Sequence, residues 1–82
     1  MAKTSLFKAL SDPTRLRIVE ILLRGERCAC ELPEMLGKAQ PTVSLQLKKL
    51  VGAGVLTFRK DGVKSIYSVS DPRAARLIEV VG

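Results

Sequence analysis

At Val55 the hydrophobic pattern changes period, and that change restricts what the chain can fold into. Val55-Leu56-Thr57-Phe58-Arg59-Lys60 and Val63-Lys64-Ser65-Ile66-Tyr67-Ser68-Val69 are strand-like runs. Asp61-Gly62 between them is a hairpin signal, because a tight turn needs positive φ and glycine takes it without steric cost. Everything before Gly54 is punctuated for helices instead. Asp12 is placed to cap a helix that Pro13 opens. Leu16, Ile18, Val19, Ile21, Leu22 and Leu23 make that helix apolar, and Gly25 stops it. Thr4 to Leu10 reads as a short helix ahead of it. Cys30 to Leu36 reads as another, with Pro33 tolerated in the first turn and Gly37 at the end. Lys38-Ala39-Gln40 reads as a turn. Pro41 then opens a helix from Thr42 to about Ala53, with Val43, Leu47 and Leu50 at i, i+4 and i+7. Asp71-Pro72 opens a last helix, Arg73 to Val81.

Four helices, a hairpin and a final helix in 82 residues predict one small domain, 1–82. The fold class is mainly α with a β-hairpin, a winged helix-turn-helix in the order α-α-α-α-β-β-α. A core this small gains from a partner surface, and a second copy of the chain is the simplest one.

Charge gives the partner class. The chain carries +6, from 14 Lys and Arg against 8 Asp and Glu. Between Lys38 and Lys64 stand Lys38, Lys48, Lys49, Arg59, Lys60 and Lys64, opposed only by Asp61. Gln40, Thr42, Ser44, Leu45 and Gln46 put short or hydrogen-bonding side chains at the start of the helix that would enter a major groove. Lys48 and Lys49 suit phosphate. Arg59, Lys60 and Lys64 put three bases around the hairpin tip, suited to the DNA backbone or the minor groove. Any one of these side chains alone is an ordinary exposed residue; their succession points to double-stranded DNA. A winged helix used for protein contact is the alternative.

Other classes fit poorly. Phe7, Phe58 and Tyr67 are too few for a base-stacking platform. There is no histidine, no phosphate-cradling glycine loop and no paired carboxylates, so an enzyme is not expected. MAKTSLFKAL is no signal peptide, and no run approaches the roughly 20 apolar residues of a membrane span. A cytoplasmic protein without a membrane partner is expected.

"ALSDPTRLRIVEIL" (Ala9 to Leu22), "CACEL" (Cys28 to Leu32), "QPTVSLQLKKLVGAGVL" (Gln40 to Leu56) and "RKDGVKSIYSV" (Arg59 to Val69) together resemble the ArsR/SmtB family of winged-helix repressors. The resemblance implies a homodimer that represses its own operon and releases DNA when an effector binds. It implies a recognition helix at Gln40–Ala53 and a wing at Phe58–Ile66. It also implies a dimer interface on the terminal helices, through Leu6, Phe7, Leu10, Leu77, Ile78 and Val81; plain core packing is the other reading of these six. The sequence departs from the family at Gln46, where members commonly carry histidine. Glutamine donates and accepts, and can pair with adenine. Leu45 suits a thymine methyl if it faces the groove.

Cys28 and Cys30 are the only cysteines. Thiols at i and i+2 converge if the segment is extended and diverge if it is helical. A ligand that needs both therefore favours an unwound first turn, and drawing the pair together would shift the helices that follow. Arsenic-sensing members of the family carry a third cysteine where this chain has Pro33. Two thiolates suit arsenite or antimonite with a solvent oxygen, or Cu(I), as an effector; no cofactor is required. They do not suit tetrahedral zinc, and Asp71 and Glu79 do not replace the His and Asp of the zinc-sensing members. A reversible Cys28–Cys30 disulfide is a second reading. Packing as two small apolar residues is the third.

Overall fold

The computed structural model describes residues 12–70 and Arg73. The helix expected at Thr4–Leu10 lies outside the described residues, as does the helix expected at Arg73–Val81 beyond Arg73. So do the interface candidates Leu6, Phe7, Leu10, Leu77, Ile78 and Val81.

Helix α1 spans Pro13–Leu23. Its start is fixed as its sequence predicts: Asp12 Oδ1 accepts from the Thr14 and Arg15 amides at 2.8 and 3.1 Å. Strand β1 is Arg27–Cys28, a 3-10 turn follows over Ala29–Glu31, and α2 is Leu32–Leu36. Helix α3 runs Gln40–Gly52, and β2 (Leu56–Asp61) and β3 (Lys64–Val69) form the hairpin. This is a winged helix-turn-helix: α2 and α3 are joined by a tight turn, and the hairpin is the wing.

The core lies where the three helices meet the base of the hairpin. Ile18 and Val19 of α1, Leu32 of α2, Leu47 and Leu50 of α3, and Val55 before β2 are all at most 2% exposed. Tyr67 and Val69 of β3 pack against this cluster from the sheet. Along α3 the buried side chains are Val43, Leu47 and Leu50, which is the helical stripe read from the sequence.

Three details differ from the sequence reading. The stretch from Cys30 is not α-helical until Leu32, because Arg27 and Cys28 pair antiparallel with Tyr67 and Ile66 and draw the preceding chain into an extended form. Among the described residues the sheet thus has three strands, in the order β1-β3-β2. A two-residue strand has no visible period, so sequence alone does not announce it. Second, Gln40 belongs to α3 rather than to a turn, since Ala39 is the extended residue before the helix. Third, Asp61 pairs with Lys64, so the turn residues are Gly62-Val63. Gly62 has φ 65 and stands first in the loop, where a primed hairpin turn needs a positive φ.

Leu47→Ala is expected to destabilise the fold by about 3 kcal/mol, as a buried leucine truncation does. Leu45→Ala, two residues earlier and 51% exposed, should change stability by less than about 0.5 kcal/mol. Urea unfolding midpoints of the two variants check both.

Candidate nucleic-acid interface and thiol pair

Because α3 buries one stripe, its opposite face is presented outward. Gln40, Thr42, Ser44, Leu45, Lys48 and Lys49 are all exposed. The helix has no acidic residue in its first turn and no side-chain cap on its first amides. Its N-terminal end is therefore positive and has N–H groups available to an anion. Lys60 and Lys64 are exposed on the wing, and Val63 stands at its tip, 99% exposed. Phe58 and Tyr67 stack across β2 and β3 with ring centroids 5.2 Å apart, which stiffens the wing.

Two of the sequence candidates are engaged inside the protein. Gln46 is half-buried at the rim of α3, and its Oε1 accepts from an Arg15 guanidinium nitrogen of α1 at 3.3 Å. Arg59 is paired with Glu26 at 2.7 Å. Glu26 precedes β1 and reaches Arg59 across the intervening β3. Asp61 is thus not the only acid beside the basic wing. The sequence reading missed Glu26 because it lies 33 residues away and is brought there by a strand pairing that was not read.

The cysteines occupy the junction of β1 and the 3-10 turn. Cys28 is extended and buried, at 6% exposure, while Cys30 is exposed. Both are free thiols. The Cys30 amide donates to Cys28 Sγ at 3.3 Å, and Glu31 Oε2 accepts from the Cys28 amide at 2.9 Å. Cys28 thus acts as a helix cap, and Glu31 completes a reciprocal capping box. Glu31 also faces Arg27 at 3.6 Å, so its carboxylate is already engaged. Packing accounts for Cys28 but not for Cys30, which lies open to solvent.

The two sulfurs are not equivalent. The Cys30 thiol and then the Cys30 amide donate to Cys28 Sγ, which holds the Cys28 pKa below the usual thiol value; Lys64 adds to this from the wing. The same contact with Cys28 raises the Cys30 pKa, because Cys30 is the proton donor. A concavity of about 410 Å³ opens here, lined by Cys28, Ala29 and Cys30, by Gln40 at the start of α3, and by Val63, Lys64 and Ser65 of the wing. The thiols therefore share one hollow with the start of α3 and the wing. Among the described residues no group of three or more His, Cys, Asp or Glu side chains can hold a metal ion. A tetrahedral site built from these residues does not fit.

The family model described as bacterial regulatory protein, arsR family, matches residues 12–57. The chain belongs to the ArsR family. It is 50% identical over 72 residues to a "Probable mercury resistance operon repressor" of Streptomyces lividans, covering 88% of this chain and 58% of that one. It is 43% identical over 67 residues to an "Arsenical resistance operon repressor" of Staphylococcus xylosus, covering 82% of this chain and 64% of that one. The ArsR-family chain thus spans less than two thirds of the length of either relative. A homodimeric winged helix-turn-helix DNA-binding domain from Mycobacterium bovis superposes with a TM-score of 0.86 at 29% identity, covering 98% of this chain and 74% of that one. These relatives are named as repressors or as a DNA-binding domain, not as enzymes. Among the described residues no helix is long and apolar enough to cross a membrane.

The lowered Cys28 pKa gives a signed expectation. Thiolate should appear at lower pH than in an ordinary cysteine, and Cys30→Ala should return Cys28 toward the ordinary value by removing its thiol donor. Ultraviolet thiolate absorbance followed against pH checks this. No difference between wild type and Cys30→Ala would sink the assignment.

Proposed function

We propose that the chain is a homodimeric DNA-binding transcriptional repressor that leaves its operator when a soft, thiol-binding ion engages Cys28 and Cys30. The DNA half of this reading is supported by the outward face of α3 together with the wing. Thr42, Ser44 and Leu45 are short enough to approach base edges in a major groove, with Gln40 beside them. Lys48 and Lys49 follow on the same helix, suited to phosphate, and Lys60 and Lys64 would extend the contact from the wing. Repeated in a dimer, this face would read a two-fold operator with half-sites roughly 10 bp apart. The homodimeric neighbour from Mycobacterium bovis supports the dimer.

The observation that carries the effector half is the shared hollow of the thiol pair, Gln40 and Lys64. An ion held by both sulfurs displaces their protons and takes the Cys28 lone pair that now accepts from the Cys30 amide. Cys28 lies in the sheet opposite Ile66, and Leu32, four residues on, is fully buried. A change of backbone at Cys28–Cys30 is therefore felt by the wing and by the packing under α3. The ion-bound and DNA-bound forms then differ in how α3 and the wing are presented, which is the condition for coupling. Arsenite or antimonite, with a solvent oxygen as third ligand, suits two thiolates. The names of the two repressor relatives, one for mercury and one for arsenicals, support a thiol-seeking ion.

A thiol switch is the second reading, favoured by the lack of a third donor among the described residues. Here Cys28 and Cys30 form a disulfide, giving two electrons and two protons to an oxidant such as a peroxide.

Gel shifts with the DNA upstream of the gene separate these readings. Release with arsenite alone, lost in Cys28→Ser, is the expected result. Release only with peroxide selects the switch, and no response to either rejects both. Binding should also weaken steeply with salt. Lys48→Ala and Lys60→Ala should each lower the slope of log K against log salt by about 0.9. A partner contact insensitive to salt would instead identify a protein-docking module.

A further inference from the structure

Resting on the DNA reading above, we infer that Arg15 is a specificity-determining residue: it holds Gln46 Oε1, so that Gln46 offers a base only its amide N–H donors. Arg15 belongs to the first turn of α1 and lies 31 residues from Gln46, yet its guanidinium donates to the amide oxygen at 3.3 Å. Guanidinium has five donors and no acceptor, so the oxygen is the only end of the glutamine amide it can hold. The amide orientation is thus fixed by chemistry. Both side chains are half-buried, which limits competition from water.

The consequence concerns which base Gln46 can read. A free glutamine pairs with adenine through both ends of its amide, accepting from N6 and donating to N7. That arrangement needs oxygen and nitrogen side by side at the groove. The bond to Arg15 turns the oxygen toward α1, and its second lone pair is turned away from the base with it. What is left is an NH2 group with two hydrogens. Guanine, with N7 and O6 adjacent, accepts both, and thymine O4 accepts one; adenine loses its advantage. Arg15 touches no base itself. It acts by positioning another residue.

Selection from a randomised duplex pool at low salt tests this with the full chain. Gln46→Ala marks the base pair that Gln46 reads, because preference disappears there alone. At that position wild type is expected to select guanine or thymine. Arg15→Met keeps the apolar stem and removes the donors, and should shift the preference toward adenine by about tenfold. Arg15→Lys, again a donor with no acceptor, should keep the wild-type base. Arg15 makes further contacts, so circular dichroism accompanies each variant. Gln46→Glu leaves Arg15 in place and serves if Arg15→Met does not fold; an acceptor now faces the groove and cytosine should be selected. Adenine selected by wild type, an unchanged base in folded Arg15→Met, or no Gln46-dependent position would each overturn the inference while leaving DNA binding standing. No selected site from any of these proteins overturns both.

Discussion

The pairing of Arg27 and Cys28 with Tyr67 and Ile66 is the contact on which the rest of the functional geometry depends. It is only two residues long. It nevertheless ties the segment between α1 and α2 to the inner strand of the wing. Without it, Cys28 would have no reason to be extended and Glu26 no route to Arg59. The hollow shared by the thiols, the start of α3 and the wing exists because this short strand holds its walls together. Backbone pairing is suited to the task, since its hydrogen bonds do not depend on flexible side chains.

Side-chain contacts around the wing are of a different rank. The Arg59–Glu26 pair is short, but both partners are at least half exposed. Exposed pairs of this kind contribute about 0 to 1 kcal/mol and weaken with salt. They adjust the wing without setting its position. The Phe58–Tyr67 stack and the six-residue ladder of β2 and β3 keep the hairpin rigid as a unit. In the mechanism proposed above, such a wing would pass a displacement at Cys28 out to Val63 and Lys64 at its tip.

Much of this was legible in the sequence, for identifiable reasons. Asp12-Pro13 announced a helix start because capping is local, and Asp12 caps as its position predicts. Val43, Leu47 and Leu50 announced one face of α3 because a helix repeats within a few residues. The hairpin was visible because period two lasts for two whole runs, although the turn proved to be centred one residue later. What stayed hidden was non-local. Strand β1 is too short to show a pattern. The partners of Gln46 and Arg59 lie 31 and 33 residues away. No spacing rule connects residues so separated; only the packed helices and the sheet do.

The two cysteines sit at a local departure from regular structure. In a full α-helix, residues i and i+2 point nearly opposite ways. Here the chain is extended at Cys28 and turns as 3-10 at Ala29–Glu31, so the Cys30 amide already reaches Cys28 Sγ. The capping box from Glu31 holds that irregular turn in place. For both thiols to share a ligand or a bond, the Cys28 sulfur must give up the contact it now makes with the Cys30 amide. The change must then fall on the hydrogen bonds that now define the turn. That turn directly follows β1, whose pairing with β3 joins the wing to the helix-turn-helix. On the proposed reading, a ligand at Cys28 and Cys30 would act on the joint between the two parts of the proposed DNA face, where a small change in angle would displace both.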